Sequence, residues 1–300
     1  MSLLPPDWFT SAIADTPQHD RVDSRLTSTA CRRWGEPGAA LIVLIHGGAA
    51  HSGWWDHIAP TLAAHYRVVA PDLAGHGDTG RLAAYSFDSW AGQIIDVVQD
   101  EDPAGPVLLV GHSMGGLVAL RAAEALGSVA AEVLMIDTEI PATRDGFTRP
   151  GWKPTREHRV HSDRESLVAR FRTLPSDEEH LDYVTAHVAN QSVMPTAGGW
   201  AWKFDPNFFD HDRLGLEDLV ALPCRVTIVR GERGLVDEKL ATRTAAILGH
   251  PHRPVTIPGS GHHVPLDQPV ALTAVIAHAA RTLPPCPQPT TKEHDDALPQ

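Results

Sequence analysis

Residues 111–116 read Gly-His-Ser-Met-Gly-Gly, and the segments on either side of them constrain the fold more than any other part of the chain. Four apolar residues at 107–110 precede this string, and the helix-forming run 117–126 follows it. The pattern predicts a strand that turns sharply into a helix and lifts the Ser113 hydroxyl above the carboxyl edge of a sheet. Side chains two residues before and after the serine would collide with backbone in such a turn, which accounts for the two glycines there.

Three other segments carry motifs that fit the same kind of sheet. Residues 41–48 form an apolar run that ends in His-Gly-Gly, and residues 66–77 join a strand-like run to Pro-Asp-Leu-Ala-Gly-His-Gly. Residues 259–262 read Gly-Ser-Gly-His. Together with the serine turn, these segments resemble the α/β-hydrolase family over about residues 22–282, with that family's order of serine first and histidine last. By this resemblance, residues 41–48 are the third strand and its oxyanion loop, and residues 66–77 are the next strand and its loop. Residues 259–262 are the loop that carries the catalytic histidine.

From residue 41 onward, segments with strand character alternate with segments of helical periodicity. Helices are predicted at about 54–64, 87–100, 115–126, 237–248 and 269–282, and strands at about 22–25, 27–34, 132–136, 225–229 and 254–257. Alternation of this kind predicts an α/β fold with a mostly parallel, doubly wound sheet covered on both faces. The resemblance implies the α/β-hydrolase fold in particular.

The alternation breaks between Pro141 and Pro223, in a stretch that is rich in Trp and Phe and holds two amphipathic segments. By resemblance, this stretch is a helical cap inserted before the penultimate strand. The expected organisation is an N-terminal, loosely docked arm at 1–20, a core formed by 21–140 and 223–283, a cap at 141–222, and a disordered tail at 284–300.

A serine hydroxyl is a poor nucleophile at neutral pH, so it needs a base within hydrogen-bond distance and a third group that orients the base. His262 is the expected base, because it follows an apolar strand at 255–257 and should stand at the carboxyl edge of the sheet. His263 is its competitor. The resemblance selects His262, since the family places a glycine directly before the catalytic histidine.

The position of the acid departs from the commoner family pattern. Many members carry an aspartate three residues past the glycine that ends the preceding strand, and here that glycine is Gly231 and the matching position is Gly234. A minority arrangement, found in some haloalkane dehalogenases, places the acid one strand earlier, which selects Asp137. Glu232 and Asp237 remain open alternatives, and an aspartate at 137 could also be a loop or cap residue without a catalytic role.

Acyl transfer also requires hydrogen-bond donors for the developing oxyanion. The backbone amide of Met114, at a helix N-terminus, is one expected donor. By resemblance, the amide of Gly48 is the second. His46 and Asp72 are expected to hold loops by hydrogen bonds. His112, beside the serine, is a weaker candidate for a catalytic role than the serine, the base and the acid.

Composition excludes several classes of function. The formal net charge of −12 offers no basic surface for nucleic acid or for an anionic membrane, and no apolar run approaches the roughly 18 residues of a membrane span. The N-terminus lacks a signal-peptide pattern, and Cys31, Cys224 and Cys286 have no paired spacing, so a reduced, cytoplasmic setting is expected. The 18 histidines are scattered and form no metal-binding helical pair, so no metal is expected. No organic cofactor is expected either, because backbone amides would stabilise the oxyanion and a histidine would carry the proton.

These observations predict a serine hydrolase that cleaves a carboxylic ester, a thioester or a lactone through an acyl-enzyme. The alternatives are a carbon–carbon bond hydrolase, a lyase or a perhydrolase on the same frame, or a ligand receptor without activity, because a fold does not decide function. A serine at the turn argues against the dehalogenase and epoxide hydrolase branches, which use an aspartate. The Trp- and Phe-rich insertion favours a small-molecule substrate with an apolar part, and the oligomeric state stays open.

Overall fold

The computed structural model describes residues 4–24, 26–144, 159–175 and 179–283. Its central sheet is built from β1 (Gln18–Asp23), β2 (Ser28–Trp34), β3 (Leu41–Ile45), β4 (Arg67–Pro71), β5 (Val107–His112), β6 (Ala130–Ile136), β9 (Arg225–Gly231) and β10 (Val255–Ile257). Their spatial order is β1-β2-β4-β3-β5-β6-β9-β10. β2 runs antiparallel to both of its neighbours, β1 and β4. The remaining pairs of neighbouring strands in this sheet are parallel. The mostly parallel sheet predicted from the sequence is confirmed.

Helices cover both faces of this sheet. The α-helices are α1 (Asp7–Ala14), α2 (Ala59–Ala63), α3 (Phe87–Glu101), α4 (Met114–Leu126), α5 (Arg164–Val168), α6 (Asp182–Gln191), α7 (Glu238–Ile247), α8 (Val264–Asp267) and α9 (Pro269–Arg281). Alternate residues of a strand point to opposite faces. Val43 and Leu109 accordingly pack with α3, α4 and α7, and Ile42 and Leu108 pack with α2 and α9. Strands buried on both faces explain the continuous apolar runs in the sequence.

The helix predicted at about 54–64 is divided in the structure. A 3-10 turn spans Ser52–Trp55, and α2 begins only at Ala59. Pro60 lies in the first turn of α2, where its missing N–H costs nothing, whereas inside a longer helix it would remove a hydrogen bond. The division therefore follows from the proline.

The insertion between β6 and β9 contains more than helices. It holds α5 and α6, where amphipathic segments were predicted, and also a hairpin formed by β7 (Val193–Thr196) and β8 (Gly199–Trp202). The hairpin was not predicted. A two-residue turn at 197–198 joins the strands, and the alternation of Trp200 and Trp202 along β8 was its signal in the sequence.

The described part of the segment expected to be a loosely docked arm, 1–20, contains regular secondary structure. Residues 7–14 form α1, and β1 begins at Gln18 rather than near Val22. Phe9 is buried, with its ring 4.9 Å from that of Tyr183 and 6.2 Å from that of His57. This aromatic contact anchors the N-terminal segment to the insertion.

The tail predicted to be disordered, 284–300, lies outside the described residues. Within the part of the chain that is described, none of the helices combines the length and the apolar character needed to cross a membrane.

Candidate active site

Ser113 lies at the turn between β5 and α4, as its neighbours in the sequence predicted. Its φ and ψ angles are 54° and −122°, a strained conformation for a residue with a side chain. A Cβ atom at Gly111 would lie 2.2 Å from the carbonyl oxygen of Gly115, and one at Gly115 would lie 2.5 Å from that of His46. Glycine is therefore required at both positions, and the turn presents the serine above the carboxyl edge of the sheet.

The structure brings Ser113, His262 and Asp137 into one hydrogen-bonded chain. Nε2 of His262 lies 3.1 Å from Oγ of Ser113, and Nδ1 of His262 lies 2.8 Å from Oδ2 of Asp137. Both His262 and Asp137 are buried. With the proton on Nδ1 donated to the carboxylate, Nε2 is left to accept the serine hydroxyl, which is the arrangement that general-base activation of a serine requires.

The carboxylate of Asp137 is also held by the backbone of the loop after β9. Its Oδ1 accepts a hydrogen bond from the amide of Gly231 at 3.2 Å, and its Oδ2 accepts one from the amide of Leu235 at 2.8 Å. A fully buried carboxylate needs such donors. The loop that carries the acid in the commoner family pattern thus supplies amides to an acid on the neighbouring strand. A Cβ atom at Gly234 would lie 2.2 Å from Oδ1 of Asp137, so the two acid positions compete for the same space.

The two alternative acids have other partners. Glu232 accepts a hydrogen bond from the amide of Gly259 at 2.8 Å. Asp237 is the N-cap of α7 and accepts from the amide of Leu240 at 2.6 Å. The hydrogen bond of Asp237 caps α7, whereas that of Glu232 joins the loop after β9 to the segment 259–262, and Asp137 is the one of the three that is bonded to His262.

His263, the competing base, lines the same cavity as His262. Its ring centroid lies 4.7 Å from that of His262 and 5.7 Å from that of Trp54. The hydrogen bond to Oγ of Ser113 is made by His262. The geometry therefore agrees with the choice of His262 over His263.

The segment predicted to form the oxyanion loop passes directly over the serine turn. A Cβ atom at Gly47 would lie 3.2 Å from Cβ of Ser113, and one at Gly48 would lie 3.7 Å from Sδ of Met114. α4 begins at Met114, so its amide belongs to the first turn, whose N–H groups have no acceptor within the helix. The backbone of Met114 thus follows the serine directly, and Gly48 lies beside the Met114 side chain.

His46 and Asp72 hold the loops around the serine. Nδ1 of His46 donates to the carbonyl oxygen of Gly47 at 2.7 Å, and its Nε2 accepts from the amide of Leu73 at 3.0 Å. Burial lowers the pKa of His46, although Asp72 opposes the shift. Asp72 itself accepts from the amides of Ser52 and Asp78 at 2.6 and 2.8 Å.

Sequence reasoning missed how the loop that carries His262 is fixed. Nε2 of His112 donates to the carbonyl oxygen of His262 at 2.9 Å. Burial, aided by the nearby His262 and His263, lowers the pKa of His112 well below its usual value. The ring is therefore neutral, and its hydrogen bond holds this loop in place. On the other side of the loop, Oδ2 of Asp267 accepts from the amide of Gly261 at 2.7 Å.

Asp267 connects this loop to the insertion. Its Oδ1 lies 2.5 Å from Nδ1 of His180, and Nε2 of His180 lies 2.8 Å from Oγ1 of Thr173. The hydrogen bond between His180 and Asp267 joins residues that are 87 positions apart in sequence, and no local pattern signals it.

A cavity of about 600 Å³ opens beside Ser113 and His262, between the sheet and the insertion. Aromatic side chains of the insertion line much of it, namely Phe171, Trp202, Phe204, Phe208 and Phe209. Trp54 and Leu117 add apolar surface from the core. Trp200 instead lies under the guanidinium of Arg164, at 5.6 Å, and Trp152 lies outside the described residues.

Comparison with known proteins defines the family. A family model described as "Alpha/beta hydrolase family" matches residues 42–275, so this chain belongs to the alpha/beta hydrolase family and is an enzyme of that family.

Individual relatives and a solved structure agree with this assignment. "Esterase Rv0045c" of Mycobacterium tuberculosis is 26% identical over 279 residues, which cover 87% of this chain and 88% of that protein. "Pimeloyl-(acyl-carrier protein) methyl ester esterase" of Methylococcus capsulatus is 33% identical over 160 residues, or 50% of this chain and 60% of that protein. The solved "Thioesterase Domain From Curacin Biosynthetic Pathway" has the same fold, with a TM-score of 0.72 at 24% identity over 87% of this chain and 99% of that domain.

Proposed function

We propose that this enzyme cleaves a carboxylic ester or thioester through an acyl-enzyme on Ser113. The observation that carries the proposal is the chain of hydrogen bonds from Oγ of Ser113 through His262 to Asp137, at 3.1 and 2.8 Å. Cyclic esters, the lactones, fall within the same chemistry.

In the acylation step, Oγ of Ser113 attacks the substrate carbonyl while Nε2 of His262 takes the hydroxyl proton. Asp137 holds the tautomer of His262 that can accept this proton, and its charge stabilises the imidazolium that results. The amides of Gly48 and Met114 donate to the oxyanion, a contribution worth about 10²–10³-fold in rate for each donor. The imidazolium then protonates the leaving alcohol or thiol.

In the deacylation step, His262 removes a proton from water, and the water oxygen attacks the acyl carbonyl. The same two amides stabilise the second oxyanion, and the proton returns from His262 to Oγ of Ser113. Each step moves one proton and one acyl group, so the residues already described supply the whole reaction.

The lining of the cavity supports a substrate with an apolar part. Met114 and Leu117 lie on the side of α4, and Phe208 and Phe209 face them from the insertion. We propose on this basis that residues 141–222 act as a cap that covers the acyl or alcohol group. Two of the relatives described above are named as esterases, which favours an ester over the other bonds that this fold can cleave.

A series of 4-nitrophenyl esters with acyl chains of increasing length tests the proposal. We expect hydrolysis to rise with chain length to an optimum, because each buried CH₂ adds about 0.8 kcal/mol of apolar transfer free energy until the cavity is filled. Rates should be the same after dialysis against a chelator. Failure to hydrolyse any ester, thioester or lactone, or activity that needs an added divalent ion, would count against the proposal.

A further inference from the structure

The charge of the cavity wall is opposite to that of the chain. The sequence contains 37 Asp and Glu residues against 25 Lys and Arg residues, for a formal net charge of −12. Among the described residues that line the cavity, the balance is reversed. Five of them are cationic and one is acidic: Arg159, Arg170, Arg172, Lys203 and Arg213, with Glu139.

Three of these arginines come from one segment of the insertion, residues 159–172, and their side chains are exposed. A residue that both lines the cavity and is exposed lies at the solvent side of the cavity. Lys203 is different, because it forms an ion pair with Asp78 at 2.7 Å. The excess of positive charge is therefore concentrated where the cavity opens.

The guanidinium groups of Arg159 and Arg170 make no ion pair or hydrogen bond with any described residue. In Arg172, Nη1 donates to the carbonyl oxygens of Ala169 and Phe171, and the other two nitrogens have no acceptor among the described residues. A guanidinium has five N–H donors in a planar fork that matches a carboxylate or a phosphate. Within the described part of the chain, no acceptor competes with a ligand for the donors of Arg159 and Arg170 or for the other two nitrogens of Arg172.

A chain of aromatic contacts leads from the segment of Arg170 and Arg172 to the serine. Arg170 and Arg172 flank Phe171, whose ring centroid lies 6.4 Å from that of Trp54. The ring of Trp54 stacks on that of His112, the residue before Ser113, with centroids 6.3 Å apart. An apolar wall therefore separates the cationic side of the cavity from the reacting atoms.

We propose that the substrate carries an anionic group, a carboxylate or a phosphate, that binds to Arg159 and Arg170 while its ester carbonyl lies at Ser113. This inference rests on the proposed ester or thioester hydrolysis and names the substrate class within it. The anion is separated from the scissile carbonyl by an apolar spacer that contacts Phe171 and Trp54. A low-dielectric cleft lined by one sign of charge also raises the local concentration of oppositely charged substrate.

The anionic group can belong to the acyl part of the substrate or to its leaving group. Two matched pairs of substrates distinguish these two cases. A carboxylate on the acyl side is tested with 4-nitrophenyl hydrogen adipate against 4-nitrophenyl hexanoate, which has a methyl group in place of the carboxylate. Phosphate on the leaving group is tested with butyryl-coenzyme A against the butyryl thioester of N-acetylcysteamine. In each pair, the ratio of kcat/KM for the anionic and the neutral substrate measures recognition of the anion.

We expect at least one ratio to exceed about ten in the intact enzyme and to fall by about ten-fold in the double variant Arg159→Gln/Arg170→Gln, since charge-assisted hydrogen bonds are lost. The same ratio should decrease as salt screens the exposed arginines. The matched control is Arg243→Gln, which removes an exposed arginine of α7 outside the cavity lining and should leave both ratios unchanged. Thermal unfolding of both variants verifies that they are folded.

The proposal is overturned if both ratios are close to one in the intact enzyme, or if the double variant retains a high ratio. Hydrolysis of the neutral esters and thioesters with no preference for the anionic partners would remove this inference and leave the proposed function in place. If neither member of either pair is hydrolysed, the proposed function itself fails.

Discussion

Replacing His262 by alanine is expected to lower kcat by about 10⁶-fold, because the serine loses the base that takes its proton. The structure gives the physical reason, since Nε2 of His262 lies 3.1 Å from Oγ of Ser113. The variant Ser113→Ala should be equally inactive. The double variant should be no worse than either single change, because the two residues act as a unit. The measurement is kcat for the best ester of the chain-length series.

The matched control for this prediction is the neighbouring histidine. His263 lines the cavity beside His262, and the hydrogen bond to Ser113 comes from His262. We therefore expect His263→Ala to cause a much smaller loss of kcat than His262→Ala. A loss in His263→Ala that equals or exceeds that in His262→Ala would show that the base has been assigned to the wrong residue.

The second large effect is expected at Asp137. Changing Asp137 to asparagine should lower kcat by about 10⁴-fold while the protein stays folded. The carboxylate accepts hydrogen bonds from Nδ1 of His262 and from the amides of Gly231 and Leu235. An amide NH₂ turned toward His262 would bind the tautomer that has its proton on Nε2, and this tautomer cannot accept the serine proton.

Asp237→Asn and Glu232→Gln are the controls for the acid, since these carboxylates accept hydrogen bonds from backbone amides rather than from His262, and the oxygen of the substituted side chain can still accept them. Both should keep kcat near that of the intact enzyme. Near-normal activity in Asp137→Asn, or a loss on the 10⁴ scale in either control, would move the assignment of the acid to the loop after β9.

The competition between the two acid positions allows a rescue experiment. An aspartate introduced at Gly234 would place its Cβ 2.2 Å from the present Oδ1 of Asp137, so the side chain at 137 must first be removed. Asp137→Gly removes it and suits the positive φ of 42° at this position. We expect Asp137→Gly/Gly234→Asp to regain part of the activity that Asp137→Gly loses. No gain over the single variant would show that position 234 does not direct a carboxylate to His262.

Much of the site could be predicted from the sequence, because its parts follow local patterns. The apolar run before Gly111 and the helical run after Met114 define the serine turn within a few residues. The position of His262 is marked in the same way by the strand before it and by the glycine at 261. Such motifs need no information about which strands are neighbours.

Asp137 could not be assigned as the acid from a local sequence pattern alone. Its assignment requires that β6 and β9 be adjacent and that the loop after β9 carry amides rather than a carboxylate. The family resemblance supplied the adjacency of the two strands. The glycine at 234 indicated that the loop has no carboxylate at the position where the commoner pattern has one. The sequence alone left Glu232 and Asp237 open because a loop's direction is set by packing.

The features that the sequence did not predict depend on contacts between distant segments. α1 is fixed by the contact of Phe9 with Tyr183, and the loop that carries His262 is fixed by His112 and by the pair of His180 and Asp267. None of these three contacts is marked by a periodicity or a motif in the sequence. The same holds for the reversal of charge in the cavity, which appears only when the arginines of the insertion are placed around the opening.

Covalent labelling by a fluorophosphonate tests the central claim most directly, because this reagent reacts with an activated serine and needs no knowledge of the substrate. We expect one adduct per chain, located on Ser113 by mass spectrometry of the digested protein. Ser113→Ala should not be labelled, His262→Ala should be labelled far more slowly, and Ser128→Ala, which removes an exposed serine after α4, should be labelled normally. An adduct on another residue, or equal labelling of Ser113→Ala, would contradict the assignment of Ser113 as the nucleophile.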